Sequence, residues 1–420
     1  MKTLHICTQD YGGAGIAVSR LNLGLKSVGI ESKMLVIKKT SSEASVIAFP
    51  RNSSFFKRAQ NRIYNKIIQS EFNAYKFTRP TGQDLFSDNR SIYDIARHPL
   101  VKEADIIHLH WISFMVDYKN FFRKINKPII WTLHDVNPFT GGCHYAGSCR
   151  KYESRCGACP QLGSKSANDL SRRIFERKKN AYKNGKIFIV SPSKWMADCA
   201  KKSTLLKDFK INDIAIGLRT AIFDKRNKRD SRDLLNIPQD RIIILFGSDY
   251  KTERKGFEYL IQALELIKKK IDTSNIGLAV FGPYANSLSD DMGFSVYPLG
   301  RIDDEELLSF CYSTSDLFIM PSLEESFGQT CLEAMSCGVP VVGFNAGGTA
   351  EMIVPLKTGL LAETKNTADL AEKIIWMIKH SAERQQMGVN ARKLVERKYT
   401  IKTQAEQYRA LYQSILDRYV

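Results

Sequence analysis

The chain has 420 residues, enough for two ordinary domains, and its 43% hydrophobic and 25% charged composition is that of a globular protein. No apolar run is long enough to span a bilayer, and low-complexity tracts and internal repeats are absent, which sets aside membrane-embedded, disordered and solenoid classes. The net charge of +18 is uneven: residues 1–210 carry 36 Lys and Arg against 16 Asp and Glu, and residues 211–420 carry 26 against 28. The first half therefore points to an anionic partner, either a membrane surface or a phosphorylated acceptor, with nucleic acid as the competing explanation.

Met1–Lys2–Thr3 leads directly into a strand at Leu4–Cys7 rather than into a signal peptide, so a cytoplasmic location is expected. Gly12, Gly13 and Gly15 follow as a turn, and Ala17, Leu21, Leu25 and Val28 then recur at helical spacing. A strand, a glycine turn and a helix present backbone amides that suit a diphosphate. The next strand, Met34–Ile37, ends in Lys38–Lys39 rather than an acid, which argues against a dinucleotide-dependent oxidoreductase. Residues 51–79 are basic and aromatic, with Glu71 as their one acid. Phe56, Ala59, Ile63 and Ile67 form one helical stripe, with Lys57, Arg58, Arg62 and Lys66 around the rest. Such a helix either lies on an anionic leaflet or packs its stripe onto its own domain.

Two strands, Ala104–Trp111 and Pro128–Asp135, end in polar groups, which places His110, His134 and Asp135 where open α/β sheets collect ligands. Cys143, Cys149, Cys156 and Cys159 then put four of the nine cysteines within 17 residues. Two disulfides would need an oxidising compartment. A structural zinc site is the favoured reading, with reduced free thiols as the alternative. A basic helix from Ala167 to Ala181 and a strand at Ile187–Val190 follow; the pattern loosens from Leu205 to Phe223, where the interdomain linker is expected.

The second half opens with the strand Arg241–Gly247 and a helix whose stripe is Phe257, Leu260, Ile261, Leu264 and Ile267. Arg254 and Lys255 at its entrance supply a forked donor and a point charge for a diphosphate. Leu278–Phe281 before Gly282, and Val296–Leu299 before Gly300–Arg301, are two further strand ends, and Asp303–Ser313 is a short helix. Leu317–Met320 is then a buried strand, Cys331–Cys337 a helix and Val341–Phe344 a second strand. Glu325 stands near the helix mouth, and Glu333 lies inside an apolar run where a charge needs a partner. Two further helices start near Thr367 and Ser381, and a last one runs from Ile401 to Tyr419.

The string EESFGQTCLEAMSCGVPVV resembles the Glu-x7-Glu signature of glycosyltransferase family 4, retaining enzymes of the GT-B fold. The resemblance implies two doubly wound Rossmann-like domains facing a central cleft. Residues 1–215 would form an acceptor-side domain carrying a cysteine-rich loop at 137–163, and residues 216–398 a nucleotide-sugar domain. Residues 399–420 would form a helix crossing back to the first. It implies a sugar moved from a nucleotide diphosphate donor to a hydroxyl of a glycan or lipid-linked acceptor, of the kind used in surface polysaccharide synthesis. Glu333 would hold the ribose, Glu325 the hydroxyls of the transferred sugar, and amides near Phe327 and Gly328 the sugar and phosphate. Arg254 and Lys255 would neutralise the leaving diphosphate, although the family's arginine after the strand glycine is Ser248 here. Gly13 and Ala14 would face the donor, Gly282 and Arg301 would lie beside the nucleotide, and His134, in WTLHD, would reach the transferred sugar. His110 and Asp135 would line the acceptor side. No catalytic metal is required on this reading, and the enzyme would sit in the cytoplasm, peripheral on the inner face of the membrane. A sugar-nucleotide epimerase of the same fold is the nearest alternative. Nucleic-acid binding would explain the basic half but not the acidic pair.

Overall fold

The computed structural model describes residues 1–50, 55–247, 252–288 and 293–418. The chain divides into two compact units: Met1–Ala215 with Gln404–Val420, and Ile216–Thr403. In the first unit the elements are β1 Lys2–Ile6, α1 Gly12–Ser27, β2 Glu31–Val36, β3 Val46–Ala48, α2 Phe55–Asn73, α3 Pro99–Glu103, β4 Ile106–Leu109, α4 Tyr118–Lys124, β5 Ile129–Thr132, α5 Leu170–Tyr182, β6 Ile187–Ser191, α6 Lys194–Lys202 and β7 Ile211–Asp213. The strands form one sheet in the order β3-β2-β1-β4-β5-β6-β7, with every named pair parallel. That order reverses between β1 and β4, so the carboxyl ends of these two strands flank a topological switch point.

Alternation along the strands gives the sheet two different faces. One packs Leu4, Ile6, Ile107, Leu109, Ile129, Trp131 and Ile189 into the larger apolar cluster. The opposite face joins Ile106, Ile130 and Val190 to Leu21 and Leu25 of α1. On that second face the expected aliphatic rows are interrupted by His5, His108, His110 and Thr132, all buried. The stretch expected as linker, 205–223, contributes the edge strand β7 before the first unit ends.

The second unit holds α7 Lys228–Leu234, β8 Ile242–Gly247, α8 Phe257–Lys270, β9 Ile276–Phe281, β10 Ser295–Gly300, α9 Glu305–Ser313, β11 Leu317–Met320, α10 Gln329–Ser336, β12 Val341–Phe344, β13 Gly359–Ala362, α11 Thr367–Lys379 and α12 Ser381–Lys398. Its sheet has the order β10-β9-β8-β11-β12-β13, again parallel with a switch point, here between β8 and β11. Strands covered on both faces can be apolar throughout, and β8, β9, β11 and β12 are. Helix α8 buries Leu260, Ala263, Leu264 and Ile267 at helical spacing and ends in Lys268–Lys269–Lys270, which suits the negative end of its dipole. The chain closes with α13 Ile401–Leu416; Tyr419, where the sequence expected this helix to end, lies outside the described residues. Tyr408 and Tyr412, one helical turn apart, are buried in the first unit's cluster with Leu21, Leu25 and Ile130.

Helix α2 shows which way its stripe faces. Ile63 and Ile67 are 62% and 49% exposed, among exposed Arg58, Arg62 and Lys66. The side chains of Phe56 and Lys57 lie outside the described residues. The alternative in which the stripe packs inward is therefore not what the fold adopts at Ile63 and Ile67.

Candidate active site

In the second unit the switch point carries two loops of opposite charge. The loop after β11 turns Glu325 inward, where its side chain is 10% exposed. Its Oε1 accepts from Arg254 Nη1 at 2.8 Å and from Lys255 Nζ at 2.7 Å. Burial alone would raise this carboxyl, but Lys255 and then Arg254 outweigh it and hold the pKa at about 2. Arg254 also donates to the Glu324 carbonyl, and its own carbonyl accepts from Leu323 N, so the two loops are stitched through backbone as well as charge. Gly256, with φ +71, closes the basic loop; a Cβ there would collide with the Pro321 carbonyl, so no other residue permits this approach.

Helix α10 starts directly after the acidic loop, from Gly328, with no side chain capping its first amides and no acid in its first turn. Phe327 is buried and packs edge-on against Tyr399. Glu333 is 5% exposed inside α10 and accepts from the Tyr312 hydroxyl at 3.1 Å, the partner its apolar surroundings require. Gly282 opens a short 3-10 segment at the end of β9. Arg301 is apart from this group: it is exposed and paired with Asp303 at 2.8 Å. Ser248, where the family places an arginine, lies outside the described residues.

In the first unit the glycine stretch is more helical than the sequence suggests. Gly12 has φ +67 and begins α1, so Gly13 and Ala14 belong to its first turn. That turn has neither an acid nor a side-chain cap. His134 follows β5 and is partly exposed, with Nε2 3.0 Å from His110 Nδ1. His110, expected on the acceptor side, is 3% exposed, and its other nitrogen lies 2.9 Å from His5 Nδ1. Asp135 is likewise turned inward, accepting from Trp111 Nε1, His144 Nδ1 and the Asn137 amide. Burial raises its carboxyl, and the His144 and Asn137 contacts more than reverse this. It orients the start of the 137–163 loop.

The sequence reading missed His5 and His108. His108 Nδ1 lies 2.6 Å from the Tyr412 hydroxyl and its Nε2 2.7 Å from Thr132 Oγ1. The signal was present: His108 and His110 alternate across the end of β4 as Thr132 and His134 do across the end of β5, and period two puts all four on one face. Nitrogens of His5, His108 and His110 lie within 4.8 Å of one another, a metal-like spacing. All six ring nitrogens of these three residues already take part in hydrogen bonds, so the cluster is a hydrogen-bonded network.

Cys143, Cys149, Cys156 and Cys159 line one cavity of about 20 Å3. Unlike the three histidines, their sulfurs do not form a set within 4.8 Å among the described residues. Burial pushes the Cys156 thiol up to about 12 and raises Cys143 and Cys159.

Comparison with known proteins adds a family. The model of "Glycosyl transferases group 1" matches residues 227–394, which fall inside the second unit. N-acetyl-alpha-D-glucosaminyl L-malate synthase of Bacillus anthracis is 37% identical over 201 residues, covering 46% of this chain and 51% of that protein. The capsular polysaccharide biosynthesis glycosyltransferase CapM of Staphylococcus aureus is 28% identical over 227 residues, covering 51% and 58%. The matched segments span about half the length of the first curated relatives. Among solved structures, HepE of Anabaena in complex with UDP and glucose aligns with 99% of this chain and 100% of its own at TM-score 0.67 and 16% identity. That likeness identifies the fold as GT-B.

The buried imidazoles tie stability to pH. Burial holds His5 at about 3 and His134 at about 4, against 6.5 in an unfolded chain. Between these limits the unfolded state binds more protons, so their contribution is complete above about pH 6.5 and is lost as pH falls toward 4. At about pH 5 the loss should be on the order of 2 kcal/mol for His5. Urea unfolding followed at about pH 7.5 and 5 should show it, and His5→Gln should flatten the dependence. Equal midpoints in the wild type would contradict the burial argument.

Proposed function

We propose that this chain, which belongs to the group 1 glycosyl transferases through residues 227–394, moves a sugar from a nucleotide diphosphate sugar to a hydroxyl acceptor with retention of configuration. The observation that carries the reading is Glu325 held by Arg254 and Lys255 beside the N-terminus of α10, which no side chain caps. An entering diphosphate shares those two cations with Glu325, which frees carboxylate lone pairs for sugar hydroxyls. Arg254, Lys255 and the first amides of α10 then stabilise the charge that builds on the leaving phosphate, in place of a divalent ion. The leaving phosphate oxygen takes the acceptor's proton as the new bond forms on the same face. Glu333 holds the ribose hydroxyls, and His134 serves a sugar hydroxyl. The acceptor is a glycan or lipid-linked glycan of a surface polysaccharide, a reading supported by the likeness to CapM.

Lys255→Ala should lower turnover by roughly 100-fold, the scale of removing one electrostatic stabiliser. Nucleotide sugars should raise the melting temperature of the wild type, since a ligand of the native state stabilises it. A panel in which no nucleotide or nucleotide sugar shifts the melting temperature would defeat the donor-site reading.

Two further assignments accompany the reaction. The cation-flanked Ile63 and Ile67 of α2 dock the first unit on an anionic leaflet, where the apolar side chains insert and the basic ones meet headgroups. Vesicles rich in phosphatidylglycerol should sediment the protein, and Ile63→Asp with Ile67→Asp should release it by more than about tenfold. Equal sedimentation of both proteins would refute the docking.

The four cysteines hold a structural zinc ion. The shared cavity supports this; backbone hydrogen bonds from Gly141 at Cys156 and from Leu162 and Gln161 at Cys159 favour thiolates but are outweighed by burial, so the sulfurs draw together and ionise as the metal enters. Metal analysis should find about one equivalent of zinc per chain, and well under one would rule the site out.

A further inference from the structure

A single file of hydrogen bonds runs through the first unit from His134 to a surface acid. His134 Nε2 meets His110 Nδ1 at 3.0 Å, His110 Nε2 meets His5 Nδ1 at 2.9 Å, and His5 Nε2 meets Ser32 Oγ at 3.1 Å. Ser32 Oγ is 2.7 Å from Asn22 Oδ1, Asn22 Nδ2 is 2.8 Å from Ser45 Oγ, and Ser45 Oγ is 2.9 Å from Glu43 Oε1. Six of these seven side chains can donate or accept at their links. Glu43 alone has a fixed sense, because a carboxylate only accepts. Hydrogen bonds from Ser45, and then from Lys26 at 3.3 Å, hold its pKa below the usual range, so it is ionised at neutral pH.

That one constraint propagates. Ser45 has one proton and gives it to Glu43, so it must accept from the Asn22 amide. The Asn22 oxygen therefore faces Ser32, which must donate to it. Ser32 has no second proton, so it accepts from His5 Nε2–H. A neutral His5 then presents a bare Nδ1, which accepts from His110 Nε2–H. A neutral His110 presents a bare Nδ1, which accepts from His134 Nε2–H. Neutrality is secured by burial, which depresses His5, His110 and His134 alike. Any other orientation leaves two lone pairs, or two protons, facing each other in a buried link.

We infer that the Glu43 carboxylate sets the tautomer of His134, seating its proton on Nε2 and leaving Nδ1 as a lone-pair acceptor. Glu43, Ser45, Asn22, Ser32, His5 and His110 are positioning residues for His134, and the nearest of them to solvent is Glu43, whose side chain is 38% exposed. The consequence for recognition rests on the proposed transfer. A ligand group meeting Nδ1 must bring an O–H or N–H, so a sugar hydroxyl is accepted and a carboxylate in its place is repelled.

The test reads the tautomer directly in the resting protein, by 15N–1H correlation of histidine-labelled samples. The wild type should show His134 with Nε2 in the protonated range and Nδ1 in the lone-pair range. Glu43→Lys replaces an acceptor with a donor, which lets every link reverse after one turn of the Asn22 amide. His134 should then shift toward the Nδ1–H form. Glu43→Gln keeps an acceptor oxygen and should retain the wild-type pattern. A wild-type His134 protonated on Nδ1, or an unchanged pattern in Glu43→Lys, would overturn the inference. The signal needs no substrate, so its failure is separate from a failure of the transferase reading, which shows as absent donor binding.

Discussion

A carboxylate buried beside two cations is the constraint on which the second unit depends. Taking Glu325 out of water is costly, and its attraction to Arg254 and Lys255 offsets that cost only while both loops hold their places. The Leu323 amide bonded to the Arg254 carbonyl, and the Arg254 guanidinium bonded to the Glu324 carbonyl, keep them there. The arrangement is therefore set before any ligand arrives, and preorganised charge is what an electrostatically driven transfer needs. Unlike a buried pair that serves packing alone, this one stands at the switch point, next to a helix start that no side chain caps.

The first unit reaches a polar interior by the opposite route. Its clustered histidines are held as neutral groups, and their cost is met by hydrogen bonds to one another and to Ser32, Thr132 and Tyr412, with Tyr408 bonded to Thr132 in turn. Replacing a row of aliphatic side chains with imidazoles gives up apolar burial on that face of the sheet. In return the face gains directional links, which fix ring orientation where apolar packing would leave it adjustable.

The second sheet was legible because its inner strands are apolar on both faces and bounded by proline, as in Leu317–Met320 before Pro321 and Val341–Phe344 after Pro340. Weaker strands were not: Val46–Ala48 and Ile211–Asp213 are three-residue edges with too few side chains to show a period. Glu333 was readable because charge in an apolar run demands a partner, whereas Lys255 and Glu325 took their roles from the family resemblance. His110 and Asp135 were read by position at strand ends, and position alone does not say which way a side chain turns. The pairing of Glu325 with both cations joins residues 70 and 71 positions apart, beyond what local pattern can reveal.

Gly347 has φ +61, and a Cβ on it would press against the backbone nitrogen and oxygen of Glu325, just as one on Gly256 would strike Pro321. The acidic loop is thus wedged between two glycines from separate segments, each admitted only because it lacks a side chain. For anyone recombining this unit between related chains, the segments around Gly256, Glu325 and Gly347 form one indivisible cassette. Exchanging one without the others would set an unmatched main chain against a gap made for glycine.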